Sequence, residues 1–189
     1  VSAVELEFEE ATHTYRYRGR IVPSVTEILR PLSDFSGADP VKLEAGRRRG
    51  TAVHRVIELD NRGELDEESV DGEYLPRLNQ WRLFIRESGF VVTACEQRVH
   101  HRSFGYAGTV DVVGEWQGTS WVVDIKTGRI PKSAGPQLAA YQMALEPKPR
   151  RRLCVQVSDH RYELQECKSL SDFALFQSCL NIWRFKNAA

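Results

Sequence analysis

The order of hydrophobic periodicities predicts an α/β fold with a mixed central β-sheet flanked by helices. Three observations carry that prediction. Strand-like runs at residues 91–99, 106–114 and 120–125 follow one another through short loops. Helical patterns precede and follow them, so from residue 74 onward the elements read helix, three strands, helix, two strands, helix. An apolar content of 41%, with four Trp, eight Phe and six Tyr, is ample for a buried core, and 28% charged residues suit a solvated surface.

Residues 6–22 alternate as a β-hairpin: Glu7-Phe8-Glu9, a turn, then Thr14-Tyr15-Arg16-Tyr17-Arg18, with Gly19 turning the chain into Ile21-Val22. Pro23-Ser24 signals a helix start, with Ser24 as N-cap and Glu27 three residues on completing a capping box. That short helix, 25–30, stops at Pro31, because the residue before a proline is pushed out of the helical region. A polar loop containing Gly37 and Pro40 follows. A long helix is expected from about 40 to 61, with Leu43, Val53 and Ile57 inward; Gly46 and Gly50 point to close packing or to a break near Gly50.

Residues 63–72 are acidic and loop-like. The helix at 74–88 carries Leu75, Leu78, Trp81, Phe84 and Ile85 on one side and ends at Gly89. After the three strands, Lys126-Thr127-Gly128 opens a polar loop, and a helix is expected over 133–145. Two strands, 152–157 and 162–166, lead to a last amphipathic helix, 171–185, with Ser171 as N-cap. At this length the expectation is one domain over 1–189, in which 1–31 form the hairpin and short helix and 40–189 the core.

No run approaches the ~18 apolar residues of a membrane span, and no signal-peptide pattern opens the chain. The expected location is therefore intracellular: the cytoplasm of a bacterial host, or an organelle after removal of a targeting segment. Cys95, Cys154, Cys167 and Cys179 lack CxxC spacing and read as reduced, mostly buried thiols. Formal net charge is zero, but Arg47-Arg48-Arg49 and Lys148 with Arg150-Arg151-Arg152 are local basic clusters of the kind that nucleic acid requires.

The chemistry concentrates in two of the strands. Tyr106-Ala107-Gly108-Thr109-Val110-Asp111 and Trp121-Val122-Val123-Asp124-Ile125-Lys126 each carry a carboxylate at or near the strand end. Side chains at i and i+2 of a strand share a face, so Asp124 and Lys126 project together. Two neighbouring carboxylates repel unless a cation lies between them, and they are natural oxygen ligands for Mg²⁺ or Mn²⁺. The pattern reads as a metal-dependent phosphodiesterase site.

Gly108-Thr109-Val110-Asp111, Asp124-Ile125-Lys126 and Gln137-Leu138-Ala139-Ala140-Tyr141 together resemble the PD-(D/E)XK nuclease superfamily, in its RecB-type subgroup with a QxxxY motif. Gly50-Thr51-Ala52-Val53-His54 with Glu58 is similar to the upstream glycine–histidine helix of that subgroup. Pro23-Ser24-Val25-Thr26-Glu27-Ile28-Leu29 resembles the opening of its phage and mitochondrial exonucleases. The resemblance implies a restriction-endonuclease-like core and a metal held by Asp111, Asp124, His54 and the Ile125 carbonyl. Lys126 would lie near the attacking water, and Gln137 and Tyr141, four apart on a helix, would grip the strand or else cap and pack the sheet.

Glu58 is a ligand candidate or a partner in a helix-face ion pair; Glu96 is a secondary candidate because some relatives carry an acid there. Arg47, Arg48 and Arg49 are a solvated helix face or phosphate contacts. Ser24 and Arg20 either hold a DNA end at the helix start or do no more than cap and solvate. The cysteines depart from the pattern of cluster-bearing relatives, so no iron–sulfur cluster is expected. The implied activity is a divalent-metal-dependent DNA exonuclease acting on single- or double-stranded ends, with recombination or replication proteins as possible partners. A structure-specific endonuclease, or an inactive nucleic-acid-binding module, would share these residues.

Overall fold

Among the described residues of the computed structural model, 5–32 and 39–188, the chain forms two sheets. The smaller is the expected hairpin extended to three antiparallel strands: β1 (Leu6–Glu9), β2 (Thr14–Tyr17) and β3 (Arg20–Val22). Ser24 then bridges Ala107, and the Ala107 amide donates to the Pro23 carbonyl at 2.9 Å, tying this sheet to the larger one. Helix α1 (Val25–Ile28) is a single turn, shorter than its sequence suggests. Ser24 caps it by accepting from the Glu27 amide at 3.1 Å, while the Glu27 carboxylate accepts from Trp183 Nε1 at 2.8 Å. Arg30–Leu32 continue as a 3₁₀ turn, since Pro31 supplies no amide for an α-helical bond. The polar loop around Gly37 lies outside the described residues.

Helix α2 (Pro40–Arg62) begins with the Asp39 side chain accepting from the Val41 amide and ends at Gly63, whose φ of 69° closes it in the left-handed region. It runs unbroken through Gly50, where an added Cβ would meet only Thr127 Oγ1 at an ordinary 3.5 Å. Helix α3 (Leu75–Ser88) likewise stops at Gly89 with φ 69°.

The larger sheet contains β4 (Val91–His101), β5 (Tyr106–Trp116), β6 (Thr119–Lys126), β7 (Arg151–Val157) and β8 (Tyr162–Glu166) in that spatial order. All neighbours are antiparallel except β6 and β7, which helix α4 (Ala134–Ala144) connects as a crossover. Helix α5 (Asp172–Lys186) closes the fold. Ser171 does not cap it: its backbone is near-helical, with φ −85° and ψ −7°, and its hydroxyl lies 2.9 Å from that of Ser169 instead. No helix among the described residues is long and apolar enough to cross a membrane.

The sheet is covered on both faces. Val122 and Cys154 pack with Leu138, Tyr141 and Phe176 under α4 and α5; Val123, Ile125, Leu153 and Val155 pack with Ile57, Leu78, Trp81 and Phe84 under α2 and α3. Two buried faces explain why β6 and β7 read as nearly continuous apolar runs. In β5 the alternation slips. Val110 belongs to the first cluster and Val112 to the second, although residues two apart in a regular strand share a face. The slip falls on Asp111. Opposite it, between the pairs Cys95–Val112 and Gln97–Val110, stands Glu96 with φ 47°. A glutamate in the left-handed region is strained, and it marks where both strands step out of phase together.

Candidate active site

The slip at Asp111 decides which groups meet. Asp111 lies in the middle of β5 rather than at the strand end expected from sequence, and its side chain turns toward β6, where Oδ2 accepts from the Ile125 amide at 2.7 Å. The adjoining Ile125 carbonyl is 2.9 Å from His54 Nε2. A carbonyl can only accept, so Nε2 carries a proton, and Nδ1 faces Asp111 Oδ2, 3.6 Å away. A backbone carbonyl that fixes the ring in this way orients a ligating histidine. The Ile125 oxygen, expected among the metal ligands, is thus already engaged by His54.

Glu96 completes the group: ligand atoms of His54, Glu96 and Asp111 all lie within 4.8 Å of one another. Burial, then the neighbouring Asp111 carboxylate, raise Glu96 to a pKa of about 7. Two carboxylates and an imidazole at that separation, one of them held up by the other, form a donor set that suits a hard divalent cation with some tolerance for nitrogen. Glu96, only a secondary candidate in the sequence, therefore stands inside the cluster. A β-strand glutamate whose backbone reverses has no signature in a single sequence.

Asp124, expected to share the ion with Asp111, is not in that three-residue group. It is 1% exposed, and Lys126 Nζ lies 2.8 Å from each of its carboxylate oxygens. Burial pushes the Asp124 carboxyl up, with Asp111 adding to the shift and the Lys126 ammonium working against it. Burial alone would lower Lys126, but Asp124 and Asp111 together outweigh it and keep the ammonium charged. Lys126 also reaches Gln137 Oε1 at 3.4 Å, and Gln137 Nε2 reaches the Tyr141 hydroxyl at 3.4 Å. Burial, and then Asp111, raise Tyr141 well above the usual phenol range, so it stays a neutral hydroxyl.

Gly108 makes room for that helix. A Cβ there would come within 2.6 Å of Tyr141 Cε1, so only glycine lets α4 lie this close to β5. On the other flank the buried Tyr15 hydroxyl is 2.7 Å from Thr109 Oγ1, which brings the small sheet against the cleft. Nothing in the sequence linked Tyr15 to a position 94 residues away.

The cleft, of ≈ 590 Å³, is lined by His54, Glu96, Asp111, Asp124, Lys126 and Tyr141 among others. Arg47 faces it, one and two turns of α2 before Gly50 and His54. Arg48 and Arg49 do not: both line a separate groove beside Tyr74, and Arg48 pairs with Glu44 at 3.3 Å. Ser24 lines the cleft too, but its oxygen is taken by the cap; Arg20 does not line it, whereas Arg30 lies with Ser24 and Arg47 along the adjoining groove. Glu58 lies outside the group of His54, Glu96 and Asp111. Its carboxylate holds Arg55 at 2.6 Å and Arg62 at 2.7 Å.

No curated protein matches the chain significantly. Solved structures similar to it include SSO0001, 17% identical over 76% of this chain and 73% of that one with a TM-score of 0.37. LHK-Exo in complex with dAMP is another, 13% identical over 87% of each chain with a TM-score of 0.49. The PD-(D/E)XK nuclease superfamily model matches residues 13–179, a span that holds every residue of the cluster just described, and the chain belongs to that superfamily.

Proposed function

We propose that this protein is a divalent-metal-dependent deoxyribonuclease that hydrolyses phosphodiester bonds at DNA ends, as an exonuclease serving recombination, repair or replication. The observation that supports this reading best is the convergence of His54, Glu96 and Asp111 beside a buried Asp124–Lys126 pair in one cleft. Nucleases of this superfamily use divalent metals. In the proposed site His54, Glu96 and Asp111 would hold Mg²⁺ or Mn²⁺, the imidazole nitrogen making Mn²⁺ acceptable. A bound ion of this kind lowers the pKa of a coordinated water and polarises a phosphoryl oxygen.

The protein's own groups do the positioning. Asp124 fixes Lys126, whose ammonium orients the attacking water and offsets negative charge as it develops on phosphorus. Gln137 and Tyr141, linked to Lys126 by hydrogen bonds, donate to the strand beside the scissile phosphate. The decisive experiment is digestion of 5′-labelled, 3′-labelled and circular DNA, single- and double-stranded, with Mg²⁺, Mn²⁺ or EDTA. Release of mononucleotides or short oligonucleotides from labelled ends, no cutting of circles and no activity in EDTA are expected. Linearised circles would replace the end-directed reading with an endonuclease, and metal-independent cutting would overturn the site.

A further inference from the structure

The cleft continues past Glu96. There it opens into a second cavity of ≈ 620 Å³, whose walls share Glu10, Arg55, Glu58, Glu96 and Thr109 with the first and add Phe8, Arg62 and Arg98. Three guanidiniums therefore gather on the side of the cluster away from Arg47. Their positions are fixed by ordinary geometry. Arg55, Glu58 and Arg62 recur at three- and four-residue spacing along one face of α2. Glu58, with a side chain only 10% exposed, grips both arginines at once.

One carboxylate holding two guanidiniums leaves a net positive charge, and each guanidinium keeps N–H donors that a single carboxylate cannot use. Arg98 enters from β4. It makes no salt bridge among the described residues, and its guanidinium rests over the Phe8 ring at 5.3 Å. The acids facing these cations are Glu58, held between its two arginines, Glu96, a member of the metal-ligand group, and the exposed Glu10 at the rim. The balance favours an anion with several oxygen acceptors.

We propose that this cavity is a second phosphate subsite, taking a backbone phosphate of the DNA strand on the far side of the scissile bond. Arg62 and Arg98 are its donors, and Glu58 is the positioning residue that preorganises Arg55 and Arg62. The proposal rests on the deoxyribonuclease reading and adds to it a strand held on both sides of the metal cluster.

The test is binding of a 5′-fluorescein-labelled single-stranded oligodeoxynucleotide by anisotropy, in EDTA so that nothing is cut, across a KCl series. Arg98→Ala and Arg62→Ala are each expected to raise Kd about 3- to 10-fold and to flatten the plot of log Kd against log salt by about 0.7, the value for one phosphate contact on a single strand. Arg62→Lys, which keeps the charge, is expected to restore most of the slope. Arg86→Ala, at an exposed position of α3 that lines neither cavity, controls for charge alone and is expected to bind as wild type. Arg98 is an exposed strand residue, so its variant folds even where Arg62→Ala is perturbed. Arg98 and Arg62 variants that lose no more affinity than Arg86→Ala, while the wild type still binds and cuts DNA, overturn the subsite alone. A wild type that neither binds nor cuts DNA overturns both the subsite and the reading beneath it.

Discussion

Two buried ion pairs face α4 from neighbouring strands, and they differ in what lies beside them. Arg152 of β7 pairs with Asp172 at 3.0 Å and spends further donors on the carbonyls of Ser169 and Gly135, at 2.7 and 3.4 Å. Lys126 of β6 pairs with Asp124 and reaches Gln137 at 3.4 Å, but Asp111 lies close enough to disturb both members of the pair. The first pair joins α4, β7 and α5 with every charge answered by protein. The second lines an open cleft, where a substrate or ion can compete for its groups. Burial alone does not mark a functional pair; a further carboxylate and a cavity beside it do.

The largest expected effect separates the two in activity. Asp111→Ala, Asp124→Ala or Lys126→Ala should each lower DNA cleavage by at least ~10³-fold, the scale of losing a charge that acts on the transition state. All three should keep the wild-type circular dichroism; in EDTA the Asp111 change should raise the unfolding midpoint by relieving repulsion with Asp124 and Glu96, while Lys126→Ala should lower it modestly, since the stranded Asp124 can take up a proton. A folded Asp124→Ala protein that cuts at the wild-type rate would falsify its assignment.

Stability should separate them in the opposite direction. Arg152→Ala strands Asp172 beside α4 and is expected to cost about 3–5 kcal/mol in urea unfolding, because a buried charge loses its partner. Gly135 sharpens the same point, since a Cβ there would stand 2.7 Å from Asp172 Oδ2. If Arg152→Ala and Lys126→Ala destabilise equally, the contrast between the pairs is lost.

A smaller change probes the packing that brings α4 to the second pair. Gly108→Ala should cost about 1–3 kcal/mol by overpacking against Tyr141, and should lower activity more than that by shifting Gln137 and Tyr141 from Lys126. Wild-type kcat in a variant whose stability has dropped would show that the Tyr141–Gln137 chain is structural packing only.

The smallest effect is in pH. Glu96 has a pKa of about 7 in the fold against 4.5 for an unperturbed glutamate, so the folded protein holds its proton more tightly than the unfolded chain does. The resulting destabilisation is absent below the lower value, grows as pH rises between the two and is complete above pH ~7. In EDTA, Glu96→Gln should therefore raise Tm at pH 8 and leave it nearly unchanged at pH 4. Saturating Mg²⁺ should stabilise the wild type and remove most of the variant's advantage, because a cation beside Glu96 answers the same repulsion. A Tm difference that is flat with pH would break the link between Glu96 and the metal group.

Much of the architecture was legible in the chain itself. Gly89 ends the helix that precedes it, and the order of helical and strand periodicities announces a mixed sheet flanked by helices, since glycine and periodic burial leave local marks. The one-turn length of α1, the continuity of α2 through Gly50 and the non-capping backbone of Ser171 were not, because tertiary packing overrides weak local preferences at such boundaries. The pairing of Asp124 with Lys126 follows from the two-residue period of any strand, and the spacing of Gln137 and Tyr141 from the helix. Sequence alone fixed those because each relation lies within one element. That Glu96 joins His54 and Asp111, that His54 takes the Ile125 carbonyl, that Arg47 alone of its run faces the cleft and that Glu58 turns to arginines were decided only in three dimensions. Each of these depends on how β4, β5, β6 and α2 lie against one another, and on a slip in the pleat that only the paired strands impose.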